Sequence, residues 1–529
     1  MQWTKTLAVN NIQDNQPVIY RHGPKQVVIY RRGETFHVYD NRCPHEGFPL
    51  REGTVDEDCV LTCNWHNWKF KLKDGKNLLG EDHLRVWPSK IEDDHLWVDF
   101  SDLPAEQIRE EQLTSLKGAF KDRRYDRIAR ILARLHYSGL DPREGVKMAI
   151  QWSYDRYQYG MTHAFGTAPD WLDLYAAHGE NEEWQLAFLT EAIDHMAHDS
   201  LREPAYPFTL SVATWSEDGF LRAMEAERED DAVAMLNHAL HKGMGFKELE
   251  DVFLRTALSH YRDFGHGLIY VLKAGRLIEH LGKDIEGPVL RALTRNLIYS
   301  SREDLIPEFR GYGVRLAQVK QSDLVGETNP QPLSSPFRLT TNSAMDWVVK
   351  SLKTHTPQQV LSQLLKTAAR NLLHFDTHYG ERFDLGVSKN TTWLGITHSV
   401  TFANALRNLA QDHAHAWIPG LLQMACFTGR AVQFLIKEDK PNTWVVEDKK
   451  AYMEEALPQI LDHGYIHPIY SCHLLKTWHG VGQEWPLMDE EGQTLLVSGL
   501  RRFISSRIKE KHVRRTVRQA MKLVGQDFQ

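Results

Sequence analysis

The amino-acid sequence predicts a multidomain protein: an all-β domain over residues 1–103, then a large all-α, histidine-rich domain over residues 104–529. Three observations predict it. Short β-branched and aromatic runs alternate with turn residues through the first hundred positions. Beyond Pro104 the apolar spacing lengthens to the helical period and stays there. Only six of the 27 histidines fall in the first hundred residues, which leaves 21 for the helical part.

The expected strands are 17–20, 26–30, 35–39, 59–62, 68–72, 84–87 and 96–100. Turn signals such as His22-Gly23-Pro24, Arg32-Gly33-Glu34 and Asp74-Gly75-Lys76 separate them. That spacing suits a small antiparallel sandwich or barrel ending near Asp102-Leu103-Pro104. Expected helices follow at 125–136, 183–199, 231–241, 249–261, 267–281, 357–375 and 500–523. The proline-rich stretch 328–336 is either an internal break or a long loop.

The composition bounds the function. An apolar content of 42% supports a large core, and a net charge of −7 gives no sign of nucleic-acid binding. Five cysteines without a disulfide pattern point to a reducing compartment. The first residues carry no apolar leader, and no window reaches 18 uninterrupted apolar residues, so neither a signal peptide nor a membrane span is expected. A cytoplasmic location follows as the expectation.

Chemistry concentrates between Cys43 and Trp68. Cys43-Pro44-His45 and Cys63-Asn64-Trp65-His66 place two Cys–His pairs at C-x-H and C-x-x-H spacing. Such a set can wrap one [2Fe–2S] cluster, with thiolates on one iron and neutral imidazoles on the other. Zinc would accept the same four ligands. The flanks extend the pattern: Gly47, Leu50 and Glu52-Gly53 after the first pair, Trp68-Lys69-Phe70 and Asp74-Gly75 after the second.

With these residues the segment resembles the Rieske [2Fe–2S] family, in the form found in ring-hydroxylating oxygenases and their ferredoxins. The resemblance implies that Cys43, His45, Cys63 and His66 hold the cluster, and it covers about the first fifth of the chain. The family usually has Pro where Asn64 stands and Gly where Asn67 stands; Asn tolerates left-handed backbone well. Respiratory members add a disulfide between the two loops, and those positions here hold Phe48 and Trp65. Ring-hydroxylating oxygenases continue with a D-x-x-H-x4-H iron motif, which does not occur after residue 100. The E-x-x-H signature of di-iron bundles is also missing after residue 100.

The helical part offers histidines instead. Thr162-His163, Gly265-His266, Thr397-His398 and Ile466-His467 share one local form, a small or apolar residue before His and an apolar stretch after it. These segments resemble the histidine-rich helical proteins of the questin-oxidase-like family, a resemblance that names no ligand. Glu191, His195 and His198 fall at i, i+4 and i+7, on one helical face. His260 and His266 bracket Asp263. His374, Asp376 and His378 pack two imidazoles and a carboxylate into five residues, and His463, His467 and His473 form a looser group. The candidate ligands for a second metal are therefore Glu191, His195, His198, His266, His374, Asp376, His378, His398 and His467. Each group also has a bland reading, as buried histidines bonded to carbonyls or as a solvated polar face.

Two function classes remain open on sequence. A Rieske cluster moves single electrons, so the fused domain needs a one-electron acceptor. The first class is an O2-activating non-haem iron oxygenase, mononuclear or dinuclear, with a small-molecule substrate and a separate NAD(P)H-dependent reductase or ferredoxin as donor. The second is an electron-transfer protein whose helical part docks or senses without a catalytic metal. The basic stretch from Arg501 to Arg518 suits an acidic donor or a solvated amphipathic helix. The expected partners exclude nucleic acid and membrane and include a second copy of the chain.

Overall fold

The computed structural model describes residues 3–200, 205–385, 389–437 and 443–528. Contacts divide the chain into two compact units, Met1–Ala119 with Ala133–Leu140, and Phe120–Leu132 with Asp141–Gln529. The first unit thus runs past the boundary expected at residue 103.

The first unit carries ten strands: β1 (Trp3–Ala8), β2 (Val18–His22), β3 (Lys25–Arg32), β4 (Thr35–Asp40), β5 (Thr54–Val55), β6 (Val60–Thr62), β7 (Lys69–Lys71), β8 (Asn77–Leu79), β9 (Ser89–Glu92) and β10 (His95–Asp99). They form three antiparallel sheets, ordered β1-β10-β9, β2-β3-β4 and β5-β6-β7-β8. Strand periodicity explains the core. On β3, Val27 and Ile29 join a cluster with Trp87, Leu96, Val98 and Phe100. Their neighbours Val28 and Tyr30 point the other way, toward Leu50, Leu61, Phe70, Cys43 and Cys63.

Several strands differ from expectation. β1, β5, β8 and β9 were not foreseen, because strands of two to four residues leave no run to read and β1 is only half-buried. Residues 84–87 do not form a strand. Leu84 and Trp87 are buried there, yet pairing shrinks to a single bridge between Tyr39 and Val86.

Beyond residue 110 the described residues contain helices and no strand, only the isolated bridges Arg262–Arg302 and Phe375–Leu435. The helices that carry chemistry are α1 (His163–Ala177), α2 (Glu182–Asp199), α3 (His266–Leu281), α4 (Trp393–Leu409), α5 (Pro468–Glu484) and α6 (Val513–Val524). α1 packs on α3 and α5, and α4 packs on the same two, so the four close a ring. The expected helix 500–523 is broken. One helix ends at Ile504, where Ser506 bonds back to Arg502 O at 2.6 Å, and α6 begins only at Val513. Residues 328–336 are a loop inside the second unit.

Candidate metal centres

Two loops of the β unit share one construction. Cys43 N–H donates to Phe48 O at 2.9 Å and Gly47 N–H to Cys43 O at 2.8 Å. In the second loop Cys63 N–H donates to Trp68 O at 2.7 Å and Asn67 N–H to Cys63 O at 2.9 Å. The fourth residue after each cysteine needs left-handed backbone: Gly47 has φ +76° and Asn67 φ +61°. Asn therefore does at 67 what Gly does at 47.

The loops bring four ligand side chains together. Cys43 and Cys63 are buried, and burial pushes the Cys43 thiol up to about 12 in the bare protein. His45 and His66 stand at the rim with Nδ1 atoms 3.1 Å apart. Trp68 stacks on the His45 ring at 4.6 Å. Two buried thiols below and two imidazoles above fit a cluster ligated by sulfur on one iron and nitrogen on the other. Phe48 and Trp65 stack across the loops at 5.9 Å, where respiratory relatives carry a disulfide.

In the helical unit, four histidines from four helices close a ring. His163 opens α1, His266 opens α3, His398 lies within α4 and His473 within α5. Ring centroids are 4.9 Å apart for His163–His266, 4.3 Å for His266–His398, 4.9 Å for His398–His473 and 4.8 Å for His473–His163. The ligand nitrogens of His163, His266 and His398 lie within 4.8 Å of one another. Burial, together with the charge of Lys476, drives His163, His398 and His473 well below their usual range, which keeps them neutral.

Hydrogen bonds set two of the tautomers. His266 Nδ1–H donates to Asp263 O at 2.6 Å, and His473 Nδ1–H to Ile469 O at 2.6 Å. The neutral form of each ring then has its lone pair on Nε2. His266 Nε2 lies 3.2 Å from His163 Nε2, and His473 Nε2 lies 3.3 Å from His398 Nε2. Carbonyl-oriented neutral imidazoles with converging nitrogens are a metal-ligand arrangement.

The backbone is bent to present His266. Asp263, Phe264 and Gly265 all have positive φ, at 43°, 45° and 79°. Asp263 N–H donates to Ser301 O, and the buried Glu303 carboxylate accepts from Phe264 N–H at 3.2 Å, which holds the turn. Such strain persists only where surrounding contacts enforce it.

A cavity of about 640 Å³ ends on His266 and His398, with Phe264, Phe427 and Phe434 among its walls. Arg430 pairs with Glu308 at 2.9 Å in the same wall. On another side a space of about 10 Å³, room for one water, is lined by His163, His266, Lys273 and Lys476. Burial lowers the Lys476 ammonium to about 7.

A second group gathers at a pocket of about 510 Å³. Glu191 Oε2 lies 3.0 Å from His195 Nε2 and accepts from His463 Nε2 at 2.9 Å, and Glu191 Oε1 accepts from Tyr125 Oη at 2.9 Å. Burial alone would raise the Glu191 pKa, but these imidazole bonds outweigh it and hold the carboxyl well below its usual range. His463 Nδ1 accepts from Tyr465 N–H at 2.9 Å, so its proton sits on Nε2. That nitrogen is a donor to Glu191 rather than a free ligand. His195 Nδ1 lies 3.4 Å from Cys472 Sγ, one residue from His473.

The nine expected ligands do not converge on one centre. His266 and His398 meet His163 and His473. Glu191 and His195 meet His463, while His198 turns aside, its Nε2 4.0 Å from Asp194. His378 is 86% exposed and bonds Asp376 at 2.9 Å. His374 packs on Phe337 at 5.5 Å. His467 is exposed, 3.9 Å from Glu510. His260 pairs with Glu225 and Asp304 instead of joining His266. His163 and His473 carried a sequence signal, a shared segment form and a histidine group, but no local spacing tied them to the others.

Comparison with known proteins bears on the first unit. The family model for the Rieske [2Fe–2S] domain matches residues 2–87. The chain is similar to the ferredoxin component of the alkene monooxygenase system of Xanthobacter autotrophicus, 29% identical over 20% of this chain and 88% of that one. It is 33% identical to the methanesulfonate monooxygenase ferredoxin subunit of Methylosulfonomonas methylovora, over 18% of this chain and 79% of that one. Its match to chloroplastic pheophorbide a oxygenase of Arabidopsis thaliana, 30% identical, spans 13% of each chain.

Proposed function

Because the chain belongs to the Rieske [2Fe–2S] family through residues 2–87, we propose that it is a Rieske-dependent oxygenase whose second iron is held by His163, His266, His398 and His473. Cys43, His45, Cys63 and His66 would hold the cluster, which would supply one-electron transfer from a separate reductase or ferredoxin toward iron held by the four helical histidines of the same chain or of a neighbouring subunit. Iron at that centre supplies one-electron chemistry with dioxygen.

One observation carries the reading: carbonyl bonds hold the Nδ1 protons of His266 and His473, and the ligand nitrogens of His163, His266 and His398 converge within 4.8 Å of one another. Neutral nitrogen ligands suit a borderline metal such as ferrous iron. The protein's own residues do the rest. The Asp263–Gly265 turn and the Ile469 carbonyl orient the imidazoles. The aromatic cavity above His266 and His398 takes a small molecule with an apolar body and keeps bulk water from the metal. Arg430 and Glu308 give that cavity a polar end.

The test is Mössbauer spectroscopy of protein enriched in 57Fe. The reading requires a high-spin ferrous doublet in addition to the cluster signals, and its disappearance in His398→Ala with the cluster signals intact. A spectrum holding cluster signals alone in the fully loaded wild type rejects it.

A further inference from the structure

The helix α6 has no buried residue. Arg515 and Gln519 line the large cavity, Gln519 Nε2 donates to Leu385 O at 3.0 Å, and the Arg514 and Arg518 guanidiniums lie over Phe383 at 4.0 and 5.3 Å. Arg515 and Gln519 therefore face the protein, while Lys511, Arg514, Arg518 and Lys522 stay exposed. Val513, Val517, Met521 and Val524 follow at i, i+4, i+8 and i+11, a single stripe on the opposite face. They stand 48% to 70% exposed, as does Leu523 beside them. No acidic residue occurs from 511 to 526, while Lys511, Arg514, Arg515, Arg518 and Lys522 do.

We propose that α6 is an interfacial helix that seats the protein on an anionic lipid surface. An apolar stripe edged by cations matches the boundary between acyl chains and phosphate headgroups. It is a surface contact and not a span; no helix among the described residues is long and apolar enough to cross a membrane. Charge disfavours a second copy of the chain as occupant, since two such helices face to face set five cations against five. An acidic protein would satisfy the charges and leave the apolar stripe uncovered. The same helix walls the large cavity, so an apolar molecule dissolved in the lipid would reach that cavity at the helix. The inference rests on α6 alone and is independent of iron at His398.

The experiment is co-sedimentation of the full chain with vesicles of mixed phosphatidylglycerol and phosphatidylcholine, and with vesicles of phosphatidylcholine alone. Static light scattering is run in parallel. Wild type should sediment with the anionic vesicles and stay in solution with the neutral ones. Val517→Glu and, independently, Met521→Glu should each weaken that binding about tenfold or more, as expected for losing one buried apolar side chain. An unchanged visible cluster spectrum and unfolding temperature would show that these variants fold. Wild type that stays in solution with both vesicle types overturns the proposal. So does an oligomer that Val517→Glu splits into monomers, which would make the stripe a contact between copies.

Discussion

His163 Nε2 and His266 Nε2 lie 3.2 Å apart, although 103 residues separate them in the chain. Each residue opens a helix. Thr162 caps the helix of His163 by accepting from Ala164 N–H at 3.3 Å, and the left-handed turn 263–265 delivers His266. A hydrogen bond to Asp263 O fixes a proton on His266 Nδ1. The same bond to Ile469 O leaves His473 in the same state. Helix starts and carbonyl acceptors, not sequence proximity, build the centre.

The turn before His266 is sensitive to one methyl group. Gly265 has φ +79°, and a Cβ there would meet Phe402 at 2.6 Å and Phe427 at 2.7 Å. Gly265→Ala should destabilise the helical unit by about 1–3 kcal/mol and lower the occupancy of the helical iron. Thermal unfolding and iron content measure both. Unchanged values would mean that the turn does not position His266.

The Phe48–Trp65 stack should hold the two cluster loops together. An aromatic pair contributes about 0.5–1.5 kcal/mol beyond its buried area. Trp65→Ala should keep the visible spectrum and bleach roughly two- to tenfold faster in mild denaturant, the rate equivalent of that energy. Equal bleaching rates would show the stack to be idle.

Asp194 gives a pH signature. Burial raises its carboxyl to about 6, against 3.8 ordinarily. A raised acid favours its protonated form in the folded protein, so this contribution is most favourable below about pH 4. It is lost as pH rises through 6. A displacement of about two pH units corresponds to about 3 kcal/mol at most. Asp194→Asn should therefore unfold at a higher temperature than wild type at pH 7.5 and at nearly the same temperature near pH 4. A difference of equal size at both pH values would contradict the assignment.

The carboxylate group is separable from the four-histidine ring. Because His463 donates its Nε2 proton to Glu191, Glu191→Gln should keep the full iron content, and His378→Ala should as well, since that side chain is exposed. Loss of one iron per chain in Glu191→Gln would move the metal to Glu191, His195 and His463.

The cluster was legible in the sequence because its ligands are local: two short spacings and two left-handed positions, 47 and 67, specify both loops. Helical periodicity over long runs was equally plain. The broken segment between Ile504 and Val513 was not, since the basic residues on both sides keep a helical pattern. Of the four-histidine ring, Gly265-His266 and Thr397-His398 stood out by their surroundings. His473 did not, because its partner His398 is 75 residues away and its own group pointed to His467. Likewise Glu191 and His195 were found by helical phase, whereas His463 lies 272 residues on from Glu191. The i+7 position suggested His198, but its ring lies 4.0 Å from Asp194, one turn back on the same helix.

The most direct measurement is total iron against acid-labile sulfide in anaerobically purified, fully loaded protein, for wild type and His398→Ala. A [2Fe–2S] cluster contributes two irons and two sulfides. Wild type should hold about three irons and two sulfides per chain, and the variant should lose one iron and no sulfide. Two irons and two sulfides in both proteins would contradict a metal at the four histidines and leave the chain an electron-transfer protein.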